Sequence, residues 1–320
     1  MSVFIKRFSF FIVILVIFSY LVDDAITTGL KKTGALKKSG TQEYSTWNAI
    51  VSSSIDADVI INGASRAYRH INPSILDSIL KCRSYNIGMS GGDFNKQFVR
   101  YLTFEKYNEK PKYIIQEVDF STFVVPDNNF DERFSPYLSD IGKDLIHRYM
   151  KWMKKYYVFV PLVRYFSQRS QIKQGLFEFF HLEHYPDLRK KGFICTETVW
   201  DGTALSKVLQ KDSLTANKQP ESIDLFDSYL NHCRQNNIQV ILVFSPEYHK
   251  AMEFTRNKEE VIAIYHSLSK KYGYHFLDYT TDSLCYDTTY FFNALHLNRK
   301  GADIFTAKLA HDIDFLGILK

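Results

Sequence analysis

Apolar residues fall into two regimes along the chain. Residues 8–22, FSFFIVILVIFSYLV, form an unbroken run with no charge. As a helix this run spans roughly 22 Å at 1.5 Å per residue, against a hydrocarbon core of roughly 30 Å. Val3 to Ile5 add apolar length, and the Lys6 and Arg7 stems can snorkel. The pattern predicts a single transmembrane anchor within residues 1–24. A cleaved signal peptide is the competing reading. It calls for a small-x-small site after the run, where Tyr20-Leu21-Val22-Asp23-Asp24 stands instead. Lys6 and Arg7 ahead of the run place the N-terminus in the cytoplasm and the rest outside the inner, cytoplasmic membrane. Lys31, Lys32, Lys37 and Lys38 follow the anchor and weigh the other way, but a large domain translocates largely regardless of charge.

After the anchor the regime changes. Residues 25–54 are rich in Thr, Ser, Gly and Lys and read as a tether, with a short helix near Tyr44 to Ser52. From residue 55 short apolar runs alternate with amphipathic stretches. Strands are expected at Asp58–Ile61, Tyr85–Ile87, Tyr113–Val118, Val240–Phe244 and Tyr274–Leu277. Between them lie helices: one capped by Asn72 with Pro73 at its first position, one from Asp93 to about Tyr107, one from Glu221 to about Gln235, helical sequence to about Tyr272, and a last helix from about Asn298. Strands alternating with helices imply an α/β fold: a five-stranded parallel sheet with helices on both faces. Residues 121–220 break the rhythm and read as a largely helical insertion in a domain covering 55–320.

Composition refines this picture. Apolar residues make up 45% and charged residues 23%, the balance of a globular chain. The net charge of +5 is modest for 320 residues and gives no reason to expect nucleic acid. The basic residues are nevertheless concentrated. Within 141–174 stand Lys143, Arg148, Lys151, Lys154, Lys155, Arg164, Arg169 and Lys173 against one acid, Asp144. Tyr149, Trp152, Tyr156, Tyr157, Phe159, Tyr165 and Phe166 are interleaved with them. Two accounts fit: a solvated basic face on helices whose aromatic face packs inward, or a surface for an anionic membrane or acidic glycan. Cys82, Cys195, Cys233 and Cys285 show no C-x-x-C spacing. They read as buried small apolar groups, or in an oxidising compartment as one of three full pairings. No zinc spacing, Walker loop or dinucleotide fingerprint is present, and no metal or diffusible cofactor is expected.

The candidate chemistry lies at two ends of the sheet. The first strand runs into Gly63-Ala64-Ser65, and the second opens into Gly88, Ser90, Gly91 and Gly92. A serine just past a parallel strand's carboxyl end sits where open α/β sheets place ligands, and turn N–H groups can face an anion. Both stretches also fit ordinary strand-to-helix turns. His296 precedes the last helix, and Asn293, three residues upstream, can approach its ring. A winding parallel sheet can bring Ser65 and His296 to one edge, where the pair suits nucleophilic acyl chemistry.

Gly63-Ala64-Ser65, Asn86-x-Gly88 and Asn293-x-x-His296-Leu297-Asn298 resemble blocks one, two and five of the SGNH (GDSL-like) hydrolases. The nearest likeness is to membrane-anchored, extracytoplasmic members similar to the DltD proteins of teichoic-acid D-alanylation and the SGNH-like O-acetyltransferases of surface polysaccharides. The likeness covers about 55–120 and 221–312. It implies a flavodoxin-like sheet, Ser65 as nucleophile, His296 as base, and an oxyanion hole using the backbone N–H groups of Ser65 and Gly88. Three features depart from the family pattern. Ala64 replaces an acid, Glu117-Val118-Asp119 stands where a G-x-N-D block is usual, and Asn293 takes the place of the triad aspartate. An amide can fix the histidine tautomer but cannot stabilise an imidazolium as a carboxylate does. Asp278, Asp282 and Asp287 are candidates for the missing charge. The expected activity is a membrane-anchored serine esterase or O-acyltransferase on a cell-surface glycan. A transferase would draw on a membrane-bound acyltransferase partner. The alternative is a non-catalytic glycan-binding or assembly protein of the same fold.

Overall fold

The computed structural model describes residues 2–34, 43–91, 93–125, 131–151, 153–166, 168–202, 215–216 and 218–319. Lys37, Lys38, Gly92 and Trp152 lie outside them. Two compact units divide the chain: Met1–Ser52 with Asn128–Leu188, and Ser53–Asp127 with Arg189–Lys320.

The second unit holds the sheet. Its strands are β1 (Val59–Asn62), β2 (Ser84–Asn86), β3 (Tyr113–Val118), β4 (Gln239–Phe244) and β5 (His275–Asp278), in the spatial order β2-β1-β3-β4-β5. All neighbours are parallel, with Ile61 opposite Asn86 and Ile115, and Ile115 opposite Ile241. The five expected strands are present, with ends shifted by about one residue. Their continuous apolar character follows from burial on both faces. Val59, Ile61, Ile115, Ile241 and Val243 pack in one cluster with Leu76, Phe305 and Leu309 of the helices Pro73–Leu80 and Arg299–Phe315. The alternate residues Ile60, Ile114 and Leu242 are equally buried and point to the opposite face. The helices Phe94–Tyr107 and Pro220–Gln235 meet through Phe94, which lies 4.6 Å from Phe226 and 5.3 Å from Tyr229.

Capping fixes where the helices start. Asn72 Oδ1 accepts from Ser74 N at 3.1 Å, Asp93 Oδ1 from Lys96 N at 3.0 Å and Asn298 Oδ1 from Gly301 N at 3.0 Å. Because β1 lies between β2 and β3, the winding reverses at β1. The crevice at its carboxyl end is where such sheets bind ligands.

The first unit includes most of the stretch read as a tether. Within 25–54 the described residues are 25–34 and 43–54, and they are helical over 25–30 and 43–51. The N-terminal helix runs from Ser2 to Leu30, beyond the expected limit at 24, and Ile26 and Leu30 are fully buried. The helix Glu43–Val51 buries Tyr44, Trp47 and Ile50, with Trp47 stacked 5.1 Å from Tyr137. Polar residues near the end of the N-terminal helix are satisfied inside the unit. Asp23 is paired with Arg164 and accepts from Leu162 N at 2.8 Å, and Thr27 Oγ1 lies 2.8 Å from the Tyr165 hydroxyl. The stretch 121–220 divides between the two units. Residues 128–188 belong to this first unit, with helices that include Lys143–Tyr149, Tyr156–Phe159 and Arg169–Phe179. Residues 189–202 return to the sheet unit, where Ile194 N donates to Tyr68 O at 3.1 Å and Trp200 N to Phe291 O at 2.8 Å.

The helix Ser2–Leu30 crosses Arg169–Phe179 at two glycines. A Cβ on Gly29 would run into Gly175 O, and one on Gly175 would lie 2.5 Å from Ile26 O. Among the described residues, one helix is long and apolar enough to cross a membrane, over Val3–Leu30. Its residues from Val3 to Ile17 are all exposed.

Candidate active site

Ser65 is the first residue of the helix Ser65–His70, one short turn beyond β1. Gly63 makes that turn possible. Its φ of +146° is open to glycine, and a Cβ there would lie 2.8 Å from Glu117 Cβ and 2.9 Å from Ala67 Cβ. His296 opens β7 (His296–Leu297), which pairs antiparallel with β6 (Phe291–Asn293) so that Asn293 and His296 face each other. The two segments are 231 positions apart, yet Ser65 Oγ lies 2.7 Å from His296 Nε2.

The geometry decides where the protons are. Asn293 Oδ1 lies 3.0 Å from Leu295 N and 2.9 Å from His296 N. Two main-chain donors point at it, so the atom there is the amide oxygen. The same oxygen faces His296 Nδ1 at 3.1 Å. Nδ1 therefore carries the hydrogen and donates, which leaves the Nε2 lone pair to accept the Ser65 hydroxyl proton. Ser65, His296 and Asn293 thus form the hydrogen-bonded series expected from the sequence.

His296 is a weak base in this setting. Burial, then the positive charges of Arg69 and Arg66, push its pKa down to about 3. The aspartates considered for the missing charge are engaged elsewhere. Asp278 accepts from Thr280 N, Asp282 from Leu284 N and Lys308, and Asp287 from Thr289 N.

Gly88 does not join the group. Its N–H donates to Asn86 Oδ1 at 3.0 Å, while Asn86 Nδ2 donates to Ala67 O at 2.8 Å and Ile71 O at 3.0 Å. The Asn-x-Gly pair braces the Ser65–His70 helix from behind. Gly88 is also absent from the residues lining the cavity beside Ser65. The N–H groups at the start of that helix, Ser65 and Arg66, have no intrahelical acceptor and are the local candidates to face an anion.

That cavity, about 680 Å³, is lined by Ser65, His296, Arg66, Asp119 and Glu247 together with apolar side chains such as Phe254. Arg66 is almost fully buried and gathers three carboxylates: Glu117 at 3.1 Å, Asp119 at 3.0 Å, and Glu247. Its guanidinium also lies over the Phe244 ring, 5.2 Å from the centroid. Burial raises the Glu117 pKa to about 7 against the opposing pull of Arg66. Asp119 is held further by Ser121 N at 2.6 Å and the Ser121 hydroxyl at 2.7 Å. Its charge is therefore shared by Arg66, not presented bare to the cavity.

His70 is a site residue that sequence reasoning missed. Its Nε2 accepts from Leu297 N at 3.0 Å, so its Nδ1 carries the hydrogen and donates to Ser245 Oγ at 2.9 Å. Ser245 Oγ in turn lies 3.4 Å from Glu117 Oε1. Burial first, then His296 and Arg66, hold its pKa well below the usual histidine value. The helix Ser65–His70 thus presents the serine at one end and grips the strand of His296 at the other. The only sequence signal was a histidine five residues after Ser65.

Among the described residues no group of three or more His, Cys, Asp or Glu side chains is arranged to hold a metal ion. The four cysteines are unpaired, with Cys233 and Cys285 buried and Cys82 and Cys195 partly so. No protein-family model matches the chain, and none of the curated proteins searched matches it.

Proposed function

We propose that the chain is a membrane-anchored SGNH-like serine esterase or O-acyltransferase whose extracytoplasmic domain acts on a cell-surface glycan. The observation that carries this reading is the 2.7 Å bond from Ser65 Oγ to His296 Nε2, with Nδ1 held by Asn293. Ser65 Oγ attacks the carbonyl carbon of an ester while its proton passes to His296 Nε2. The Ser65–His70 helix N-terminus faces the oxyanion. Collapse of the tetrahedral intermediate breaks the ester C–O bond, and His296 returns the proton to the departing alcohol. Water or a sugar hydroxyl then attacks the acyl-serine, again through His296, and releases an acid or a new ester. In a transferase the acyl donor would come from a membrane-bound acyltransferase partner.

A second reading has its own support. Asn293 supplies no charge and His296 has a pKa of about 3, as suits a glycan-binding or assembly protein that keeps the fold without turnover. A fluorophosphonate probe separates the two. The esterase reading expects labelling of the wild type and none of Ser65→Ala, together with p-nitrophenyl acetate hydrolysis lost in that variant. Equal, background-level behaviour of both proteins leaves the binding protein.

A further inference from the structure

We propose that the first unit is seated on the lipid surface through the stretch Lys154–Phe166, which lies among anionic headgroups beside the N-terminal helix. The inference rests on reading helix Ser2–Leu30 as a membrane anchor.

Contacts tie this stretch to the helix where its apolar run ends. The Tyr20 hydroxyl donates to Phe159 O at 3.3 Å, Leu162 N donates to Asp23 Oδ1 at 2.8 Å, and Arg164 pairs with Asp23. The stretch is therefore level with the end of the membrane-length apolar segment. There it leaves large apolar side chains in the open: Phe159 is 52% exposed, Val160 45% and Phe166 82%. The helix exposes Phe18, Tyr20 and Leu21 at the same level, where Tyr20 touches Phe159.

Charge points to the same occupant. Lys151, Lys154 and Lys155 are exposed, and residues 154–166 contain no acid. Lys154 Nζ lies 5.8 Å from the Tyr156 ring centroid, and Lys143 Nζ lies 4.8 Å from that of Phe159. Aromatic rings that are apolar at one end and wet at the other, mixed with lysine, are the composition of a membrane interface. Basic residues beside a membrane segment are drawn to anionic lipid. A soluble acidic glycan would use the lysines but give no reason to expose Phe159, Val160 and Phe166 beside the helix.

The test uses the full chain in bilayers of phosphatidylcholine and phosphatidylglycerol that carry a phosphatidylcholine with a diazirine near its headgroup. After illumination, tryptic peptides are read for lipid adducts. Peptides 156–164 and 165–169 should carry several-fold more adduct than peptide 174–189. That control exposes Phe180 and Leu182, so it is no less apolar. It begins within the helix Arg169–Phe179, whose Phe179 N lies 3.0 Å from a Cβ placed on Gly29, nine residues past Tyr20 and roughly 14 Å farther along the helix axis. Peptide 8–31 reports the anchor. Adducts on 8–31 without enrichment on 156–169 would overturn the seated surface and leave the anchor standing. No adducts on 8–31 would overturn both.

Discussion

Asn293 and His296 are joined twice over: one amide oxygen receives the His296 main-chain N–H and the ring Nδ1–H, and it also accepts the Leu295 N–H between them. The main-chain bonds orient the amide, and the amide orients the ring. Orientation is thus complete without any negative charge. What the arrangement lacks is stabilisation of the imidazolium, and the low His296 pKa is consistent with that.

Asn293→Asp tests this separation of orienting from charge. A carboxylate in the same place keeps all three acceptor positions and favours the protonated ring, so the His296 pKa should rise from about 3 toward the ordinary histidine range. The ring acts as a base only when neutral. The acid limb of the wild-type rate should therefore lie near pH 3, and that of the variant should move to higher pH. Above the new limb the rate should rise, within the roughly 10²–10⁴-fold typical of general-base catalysis. Steady-state p-nitrophenyl acetate hydrolysis from pH 3 to 9 reads both effects. An unmoved acid limb would show that Asn293 does not set the basicity of His296.

His70 acts through another residue, holding the strand of His296 by the Leu297 N–H. His70→Ala leaves that buried N–H without its acceptor, at a cost of about 1–3 kcal/mol. Urea unfolding should show the loss. Catalysis should suffer in kcat more than in KM, because the ring is displaced while the cavity is kept. His70→Gln, which restores an acceptor, should recover part of kcat. A variant that loses stability but keeps kcat would reduce His70 to a purely structural role.

Glu117 gives the fold a pH signature. Its pKa is raised from 4.5 to about 7 by burial. Between those values the folded protein holds a proton that the unfolded chain has released. The stabilising contribution is therefore complete below pH 4.5, declines as pH rises to 7, and is gone above it. Glu117→Gln keeps a neutral side chain throughout and removes this dependence. Comparing urea midpoints at pH 5 and pH 8, the wild type should lose stability relative to the variant. Parallel behaviour of the two proteins would place the proton elsewhere among the carboxylates of Arg66.

The sequence carried the sheet and the serine–histidine pair, and for the same reason. Each strand is a short apolar run between turn residues, and Ser65 and His296 each sit at such a turn, so local pattern marks both. Other roles depend on a distant partner that no local pattern shows. Asp23, at the end of the expected anchor, and Thr27, in the stretch read as a tether, meet Arg164 and Tyr165 far along the chain. His70 meets Leu297 across 227 positions, and Glu117 meets Ser245 across 128. The Gly88 expectation failed over a shorter span. Nothing in the pattern Asn86-x-Gly88 tells whether the asparagine side chain turns outward or folds back onto its own glycine, as it does here.

The crossing of Gly29 with Gly175 changes what kind of connection the N-terminal helix is. A polar leash would let the first unit drift and tumble above a membrane. Here the apolar segment and the buried segment are one unbroken helix, and its last turns are clasped backbone to backbone with no side chain between them. The helix behaves as a mast stepped into the unit. Where the helix spans a bilayer as proposed, its tilt is imposed on the unit, and the standing height of Lys154–Phe166 follows the count of residues between Val3 and Asp23. Inserting one residue there would lift the unit by about 1.5 Å and turn it by about 100°.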